Sequence, residues 1–228
     1  KGAMYHPVPA NSRQQNPTMT RFCLIRHGET PWNAERRIQG QLDIGLNATG
    51  EAQARALGPV LSSQQFTAVY SSDLARAWGT AELATQDLEL PNLRPEASLR
   101  ERHYGIYQGL TAQEALARHP EIHHHHSQRS LDYDYGTGET LRAFATRALE
   151  GLTRLAERHP GGTLLAFTHG GILDIVYRAA TGRDLSGPRD FPVPNAALNW
   201  LEYAAHRWTI LAWADRRHLE RTLDEVVE

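Results

Sequence analysis

The chain has 228 residues, of which 40% are hydrophobic and 22% are charged, and its formal net charge is −2. These values are ordinary for a globular protein that buries a substantial core, and the lack of positive excess disfavours nucleic acid as a partner. No apolar run approaches the roughly 20 residues that span a bilayer, so no membrane partner is predicted. The single cysteine, Cys23, excludes an intrachain disulfide and favours a reducing, cytoplasmic location.

The first twenty residues are polar, lack periodicity and lack the apolar segment of a signal peptide, which predicts a flexible leader over residues 1–20. Met19 is a candidate natural start, in which case residues 1–4 derive from cloning. Lys1 is the only lysine, and every other cation is arginine. This bias is typical of a GC-rich bacterial genome, and it excludes any function that needs a lysine in the folded body.

Residues 22–25 form an apolar run, which predicts a short buried strand that ends at Gly28, where a turn is favoured. The turn puts Arg26, His27 and Asn33 at the carboxyl end of a core strand, where open α/β sheets bind ligands. Arginine and asparagine supply donors to an anion, and a neutral histidine beside them can attack one. These residues predict a phosphate site with a histidine nucleophile.

The rest of the chain alternates between helices and strands. Helices are predicted after an N-cap at Thr49, after a cap at residues 71–73, from a capping box at residues 111–114, and over residues 138–158 and 172–180. Strands are predicted at residues 67–70, 93–96, 163–168, 198–203 and 208–213, the last two as an antiparallel pair. The alternation predicts a single three-layer α/β domain over residues 21–228, with a mostly parallel central sheet flanked by helices on both faces.

Four consecutive histidines, His123 to His126, lie in a polar segment. Such a run can bind a metal ion adventitiously, but it lacks the mixed cysteine, histidine and carboxylate spacing of a built site. We predict a solvated, mobile loop here, and we predict no metal centre and no cofactor in the chain.

A second core strand ends in the same way as the first, with His169 before Gly170 where His27 precedes Gly28. A lone histidine at such a position is more often structural than catalytic, but two at equivalent ends of one sheet favour a functional site. Arg76 adds a third positive group after another strand, and the predicted helix N-termini add backbone donors.

Residues 26–33, RHGETPWN, resemble the R-H-G-x-T-x-x-N signature of the histidine phosphatase superfamily, which includes the cofactor-dependent phosphoglycerate mutases. Further blocks resemble the family, in family order, at residues 39–40, 72–77, 99–105 and 168–171. A lone RHG would be weak, whereas four ordered blocks are specific. The resemblance implies a phosphoglycerate mutase-like fold and phosphoryl-transfer chemistry.

The resemblance also implies a role for each matching residue. His27 would attack phosphorus, and Glu101 would protonate the leaving alkoxide and then activate water. His169 would supply a further hydrogen-bond donor to the phosphoryl group. Substrate or phosphate contacts are implied for Arg26, Asn33, Arg76, Gln39, Gly40, Arg102, Tyr104, Gly170 and Gly171. A carboxylic acid beside a phosphate dianion should have a raised pKa, as the first role of Glu101 requires.

Phosphatases and mutases share the step that forms the phosphohistidine. A mutase also needs further cations that bind the substrate carboxylate and the second phosphate. Family mutases carry a lysine shortly after the Tyr-Gly of the acid loop and an arginine pair further on, whereas here residues 108–114 contain no lysine and Arg118 and Arg129 are isolated. We therefore predict a metal-independent phosphomonoesterase that acts through a phosphohistidine on a small phosphorylated metabolite. The alternatives are a cofactor-dependent phosphoglycerate mutase and a non-catalytic phosphate-binding protein. The identity of the ester and the oligomeric state stay open.

Overall fold

The computed structural model describes residues 19–219. The apolar run near the start of the chain forms strand β1 (Thr20–Arg26), around which the sheet is built. The other strands are β2 (Ala68–Ser71), β3 (Leu93–Pro95), β4 (Thr163–Thr168), β5 (Leu198–Ala204) and β6 (Arg207–Asp215). They form one sheet in the order β3-β2-β4-β1-β5-β6. The strands from β3 to β1 are parallel, and β5 and β6 complete the sheet in antiparallel pairing.

Seven α-helices cover the sheet or link its strands within the described residues. They are α1 (Pro31–Ala34), α2 (Ala48–Leu61), α3 (Ala75–Thr85), α4 (Ala112–Arg118), α5 (Pro120–Ser127), α6 (Leu141–Arg158) and α7 (Gly170–Thr181). Two short 3-10 helices lie at Ala97–Leu99 and Gly105–Tyr107. Between residues 19 and 219, no helix is both long and apolar enough to cross a membrane.

Two apolar cores lie on opposite faces of the sheet, because successive side chains of a strand point in opposite directions. From β1, Phe22 and Leu24 pack in the core that includes α6 and α7, whereas Cys23 and Ile25 pack in the core that includes α2 and α3. All four side chains are fully buried, which explains why β1 has an unbroken apolar sequence. The two cores confirm the predicted three-layer, mostly parallel α/β fold.

Several helix starts differ from the prediction. Helix α2 is capped by Asn47, whose side chain accepts from the N–H of Gly50, and the predicted cap Thr49 lies inside the helix. The cap predicted at residues 71–73 is wrong, because the N-cap of α3 is Leu74 and no side chain caps it. The capping box at residues 111–114 is confirmed at the start of α4.

The histidine run is helical, so the prediction of a loop is wrong. Pro120 occupies the first turn of α5, where proline is well tolerated, and Ile122 is buried. His126 Nδ1 lies 3.1 Å from the hydroxyl of Tyr135, and burial lowers the pKa of His126 to about 3. The run therefore forms a partly buried helix, and His126 on its inner side is neutral near pH 7.

Most of the predicted leader lies outside the described residues. Thr20, which the prediction placed in the leader, is the first residue of β1 and is buried. Its hydroxyl donates to the carbonyls of Ala156 and His159, each at 3.1 Å, so the strand begins fixed against the end of α6.

Candidate active site

The parallel ladder between β1 and β4 brings the two predicted histidines together. Its register pairs Arg26 with Thr168, so His27 and His169 follow from adjacent strand ends. The N–H of His27 donates to the carbonyl of Thr168 at 2.9 Å, and the centroids of the two imidazole rings lie 5.2 Å apart. Two residues far apart in sequence are thereby fixed side by side at the carboxyl edge of the sheet.

A turn at Gly28 directs the His27 ring into the site. The N–H of Gly28 donates to the hydroxyl of Thr80 in α3 at 2.9 Å. A Cβ at position 28 would lie 2.5 Å from the carbonyl oxygen of Gly50, which is well inside van der Waals contact. Glycine is therefore needed because the start of α2 approaches the turn so closely.

The hydrogen bonds of His27 define its tautomer. Nδ1 lies 2.7 Å from the carbonyl oxygen of Gly28, which can only accept, so Nδ1 carries the proton. Nε2 then has a lone pair, towards which Arg76 Nε donates at 3.3 Å. Burial, and then the charges of Arg76 and Arg26, hold the pKa of His27 well below its usual value of 6.5. His27 is consequently a neutral imidazole at neutral pH, with its proton on Nδ1 and a free lone pair on Nε2.

Two arginines supply buried positive charge beside this ring. Arg76, in the first turn of α3, is 1% exposed and donates to the carbonyls of Gly40 at 2.6 Å and Leu42 at 3.0 Å. Arg26 is 2% exposed and donates to the carbonyl of Val193 at 2.8 Å. These backbone carbonyls orient the guanidinium groups, and two fixed, desolvated cations form a site suited to an anion.

Glu101 reaches the same region from the loop after β3. Its Oε2 accepts from the N–H of Gly171 at 2.9 Å, at the start of α7, and its Oε1 accepts from the N–H of Arg102 at 2.7 Å. Burial of the carboxyl group raises the pKa of Glu101, and the two N–H groups and the nearby arginines only partly oppose this effect. A carboxyl group that keeps its proton above the usual pH can act as a general acid.

A close approach explains the glycine at position 171. A Cβ there would overlap Oε1 of Glu101 and would also press on the ring of Phe144. The preceding residue, Gly170, faces Arg26, since a Cβ at position 170 would lie 3.4 Å from Arg26 Nε. The two glycines therefore let the carboxyl group of Glu101 and the guanidinium of Arg26 lie against the N-terminus of α7.

His169 has a neighbour that the sequence analysis missed, Ser72. Both residues are fully buried, and the Ser72 hydroxyl oxygen lies 2.8 Å from His169 Nε2. Burial, followed by the charges of Arg76 and Arg26, keeps the pKa of His169 well below 6.5. Ser72 stands in one of the motif blocks, but as a predicted helix cap, and the block by itself does not reveal a long-range partner.

A second missed feature is an ion pair that supports the loop of Glu101. Arg147 of α6 donates to Glu139 Oε1 at 2.7 Å and Oε2 at 2.8 Å, and it also binds the carbonyl of Glu101 at 3.1 Å. Glu139 Oε2 in turn accepts from the N–H of His103 at 2.9 Å. The ion pair thus fixes the loop backbone at Glu101 and at His103. No local sequence pattern identifies the bond from Arg147 to the Glu101 carbonyl, which joins residues 46 positions apart.

Two predicted contacts, Asn33 and Gln39, lie in the segment after β1. Asn33 Oδ1 accepts from the backbone N–H and the hydroxyl of Thr30, at 3.0 and 3.1 Å, and completes the capping box of α1. Gln39 is buried and precedes Gly40, whose carbonyl orients Arg76. Both residues therefore shape the loops around the arginine, and their contact with a substrate stays a prediction.

Arg102 and Tyr104 contact protein groups in the structure. Arg102 donates to the carbonyls of Glu139 at 2.9 Å and Tyr133 at 3.1 Å, and its guanidinium lies 4.9 Å from the ring centroid of Tyr135. Tyr104 packs edge-on against Tyr135, with ring centroids 5.6 Å apart. These contacts order the wall next to Glu101, and direct substrate binding by either residue stays a prediction.

Within residues 19–219 no three histidine, cysteine, aspartate or glutamate side chains are grouped closely enough to hold one metal ion. The positive charge of the site comes from arginine side chains.

Comparison of the sequence with known proteins identifies the family of this chain. The family model of the histidine phosphatase superfamily (branch 1) matches residues 22–216. Over 204 residues the chain is 38% identical to phosphoglycerate mutase-like protein 4 of Arabidopsis thaliana, a match that covers 88% of this chain and 87% of that protein. A metal-independent phosphoserine phosphatase of Arabidopsis thaliana is 36% identical over 204 residues, with 88% and 84% covered.

A solved structure agrees with these sequence matches. That of Bacillus stearothermophilus YhfR is similar with a TM-score of 0.79 and 31% sequence identity, and the match covers 87% of this chain and 98% of that one. The family predicted from the ordered motif blocks is confirmed, and the relatives support a phosphatase enzyme.

Proposed function

The chain belongs to the histidine phosphatase superfamily, and from this premise we propose that it is a metal-independent phosphomonoesterase that forms a phosphohistidine at His27. Its substrate is a small phosphorylated metabolite. One observation carries the proposal: the unprotonated Nε2 of His27 lies 3.3 Å from the buried guanidinium of Arg76, in a cluster that includes Arg26. Attack on an anionic phosphate ester requires a nucleophile without a proton next to fixed positive charge.

In the first step, His27 Nε2 attacks phosphorus and the bond between phosphorus and the alcohol oxygen breaks. Glu101, whose pKa is raised by burial so that the protonated form is favoured, gives its proton to that oxygen. Arg26 and Arg76 bind the phosphoryl oxygens as negative charge shifts to the leaving group. The positive charge that develops on the His27 ring is stabilised by the Gly28 carbonyl, which accepts from Nδ1–H.

In the second step, water replaces the alcohol. The carboxylate of Glu101 accepts a proton from the water molecule while the water oxygen attacks phosphorus. The bond between His27 Nε2 and phosphorus breaks, which releases inorganic phosphate and restores both residues to their starting protonation states. Glu101 thus acts as a general acid in the first phosphoryl transfer and as a general base in the second.

A cofactor-dependent phosphoglycerate mutase is the second candidate, because one relative at 38% identity is named as mutase-like. A mutase needs additional cations for a carboxylate and a second phosphate. Arg129 donates to Asp174 at 2.6 Å, so its charge is already paired, and Arg118 is exposed on α4. These contacts favour hydrolysis over mutase activity.

The test is a phosphate-release assay with 3-phosphoglycerate, phosphoserine and an aryl phosphate in the presence of EDTA. Isomerisation to 2-phosphoglycerate with added bisphosphoglycerate is measured in parallel. His27→Ala should abolish release and the acid-labile phosphoenzyme that a rapid quench traps. His124→Ala, which changes an exposed histidine of α5, is the matched control and should keep full activity.

Hydrolysis that persists in EDTA, requires His27 and occurs without isomerisation would support the proposal. Isomerisation that far exceeds hydrolysis would replace it with the mutase. Hydrolysis that EDTA abolishes would contradict the metal-independent mechanism, and inactivity toward a broad ester panel with retained phosphate binding would favour a non-catalytic binding protein.

A further inference from the structure

The contact between Ser72 and His169 is built from adjacent strands. The ladder between β2 and β4 pairs Ser71 with Phe167, and the N–H of Ser72 donates to the carbonyl of Phe167 at 2.9 Å. The side chains of Ser72 and His169 therefore follow from neighbouring strand ends, just as the two histidines do. The distance of 2.8 Å between Ser72 Oγ and His169 Nε2 is that of a well-formed hydrogen bond.

The surroundings of Ser72 determine which atom donates. The N–H of Leu74 points to Ser72 Oγ at 3.3 Å and occupies one of its lone pairs. Within the described residues, the hydroxyl proton of Ser72 has His169 Nε2 as its only acceptor. If Nε2 carried the proton instead, both the Ser72 hydroxyl proton and His169 Nδ1 would be buried without a partner. Donation from Ser72 leaves one such group, and is favoured because each unpaired buried group is costly.

The group left over is the N–H at His169 Nδ1. This atom is buried and has no hydrogen-bond partner within residues 19–219. The imidazole lies 5.2 Å, between ring centroids, from that of His27, which carries the nucleophilic nitrogen. A buried donor in a cluster of arginines is suited to an anionic oxygen, and a neutral imidazole can donate only from the nitrogen that holds its proton.

Resting on the proposed phosphohistidine reaction, we infer that Ser72 is a positioning residue for His169. Its hydroxyl donates to Nε2, holds the ring in the Nδ1–H tautomer, and so makes Nδ1–H available to an oxygen of the transferring phosphoryl group. Without the hydroxyl, the ring is free to adopt the Nε2–H tautomer, which cannot donate from Nδ1. Ser72 thereby controls the hydrogen bond from His169 to the phosphoryl group without contacting the substrate itself.

The first readout does not depend on turnover. Long-range 1H–15N spectra of the intact protein, with the His169 signals assigned by their loss in His169→Gln, report which nitrogen holds the proton. We expect Nδ1–H in the wild type and a change of tautomer in Ser72→Ala. Ser72→Thr keeps a hydroxyl and should restore the wild-type pattern.

The second readout is binding and catalysis. Loss of one oriented donor predicts that Ser72→Ala lowers kcat by about 10- to 100-fold and weakens inorganic phosphate binding, measured by calorimetry, with partial rescue in Ser72→Thr. Ser71→Ala is the matched control, because Ser71 is equally buried but donates to the carbonyl of Ser72 at 2.8 Å. It should keep the wild-type tautomer and rate.

An Nε2–H tautomer in the wild type would overturn the inference, as would a Ser72→Ala protein whose spectra, phosphate affinity and kcat match those of Ser71→Ala. If the wild type hydrolyses none of the esters, the proposed function fails, whereas the tautomer and the phosphate affinity still decide the role of Ser72. Circular dichroism confirms that the variants compared are folded.

Discussion

Replacing Arg147 by methionine should loosen the loop that carries Glu101. Arg147 donates to both carboxylate oxygens of Glu139 and to three carbonyls, those of Ser98 and Arg100, each at 3.0 Å, and of Glu101 at 3.1 Å. Methionine approximates the length of the aliphatic stem but has no donor. The substitution therefore leaves a carboxylate and three carbonyl groups without their partner.

The size of the effect follows from the burial of the pair. Removing one partner of a buried ion pair costs about 3–5 kcal/mol. The side chains of Arg147 and Glu139 are 24% and 22% exposed, so water can solvate part of the remaining charge. We therefore expect the lower end, a loss of about 3 kcal/mol in the free energy of unfolding, which for a domain of this size lowers Tm by about 6–12 °C.

Urea unfolding followed by circular dichroism measures this loss, with phosphate release measured on the same samples. Arg154→Met is the matched control, since Arg154 lies on the same helix, is 54% exposed and is 3.7 Å from Glu150. An exposed pair of this kind contributes at most about 1 kcal/mol. The Arg147 variant should also lose activity at temperatures where it is fully folded, because the backbone of Glu101 is no longer fixed.

Equal unfolding free energies for Arg147→Met and Arg154→Met would refute the reasoning. A double-mutant cycle with Glu139→Gln gives a second check. Because the two side chains share hydrogen bonds, their coupling energy should lie within about 0.5–3 kcal/mol, and a coupling of zero would show that the pair does not act as a unit.

Three further outcomes are expected. The raised pKa of Glu101 predicts that kcat/KM falls as pH rises through that pKa. Glu101→Gln should remove this alkaline limb and lower the rate by about 10²- to 10⁴-fold, with a smaller loss for aryl phosphates. An unchanged pH profile in Glu101→Gln would contradict the role of Glu101 as general acid. Gly171→Ala should reduce kcat at least about tenfold because its Cβ would displace the Glu101 carboxyl, whereas Gly45→Ala, with open space around its Cβ, should not; equal rates would show that the carboxyl is not displaced. The hydrogen bonds of Arg147 and His103 hold the pKa of Glu139 below 4.5 against the opposing effect of burial, so the stabilisation should be complete above pH 4.5 and lost as pH falls through the lowered value. Glu139→Gln should flatten the acid side of the stability curve measured by urea unfolding, and an unaltered slope would argue against this contribution.

The residues at strand ends could be predicted because their signal is local. His27 and His169 each follow an apolar strand and precede a glycine, so the sequence alone gives both their type and their place on the sheet. The β1–β4 register then brings them together without any further information. Glu101 was accessible only through the family resemblance, because beside two arginines it looks like a surface ion-pair partner.

Other features could not be predicted because their cause is distant in sequence. Ser72 stands where a helix cap is expected, and only the β2–β4 ladder reveals that its hydroxyl meets His169. The three carbonyl groups to which Arg147 donates lie on a loop more than forty positions away. The helix over His123 to His126 was missed because its stabilisation comes from tertiary contacts such as that of His126 with Tyr135 rather than from helix propensity.

Catalytic competence can arise only late in folding, because the strands that carry the two histidines occupy opposite parts of the chain. The pairing of Arg26 with Thr168 closes a loop that includes both α2 and α6, and the entropy lost in closing it is offset only when the whole ladder forms. Helix formation in isolated segments would precede this step without producing a site. Recovery of activity during refolding therefore reports long-range strand pairing, and a ribosome-bound chain stays inactive until β4 has emerged and joined β1.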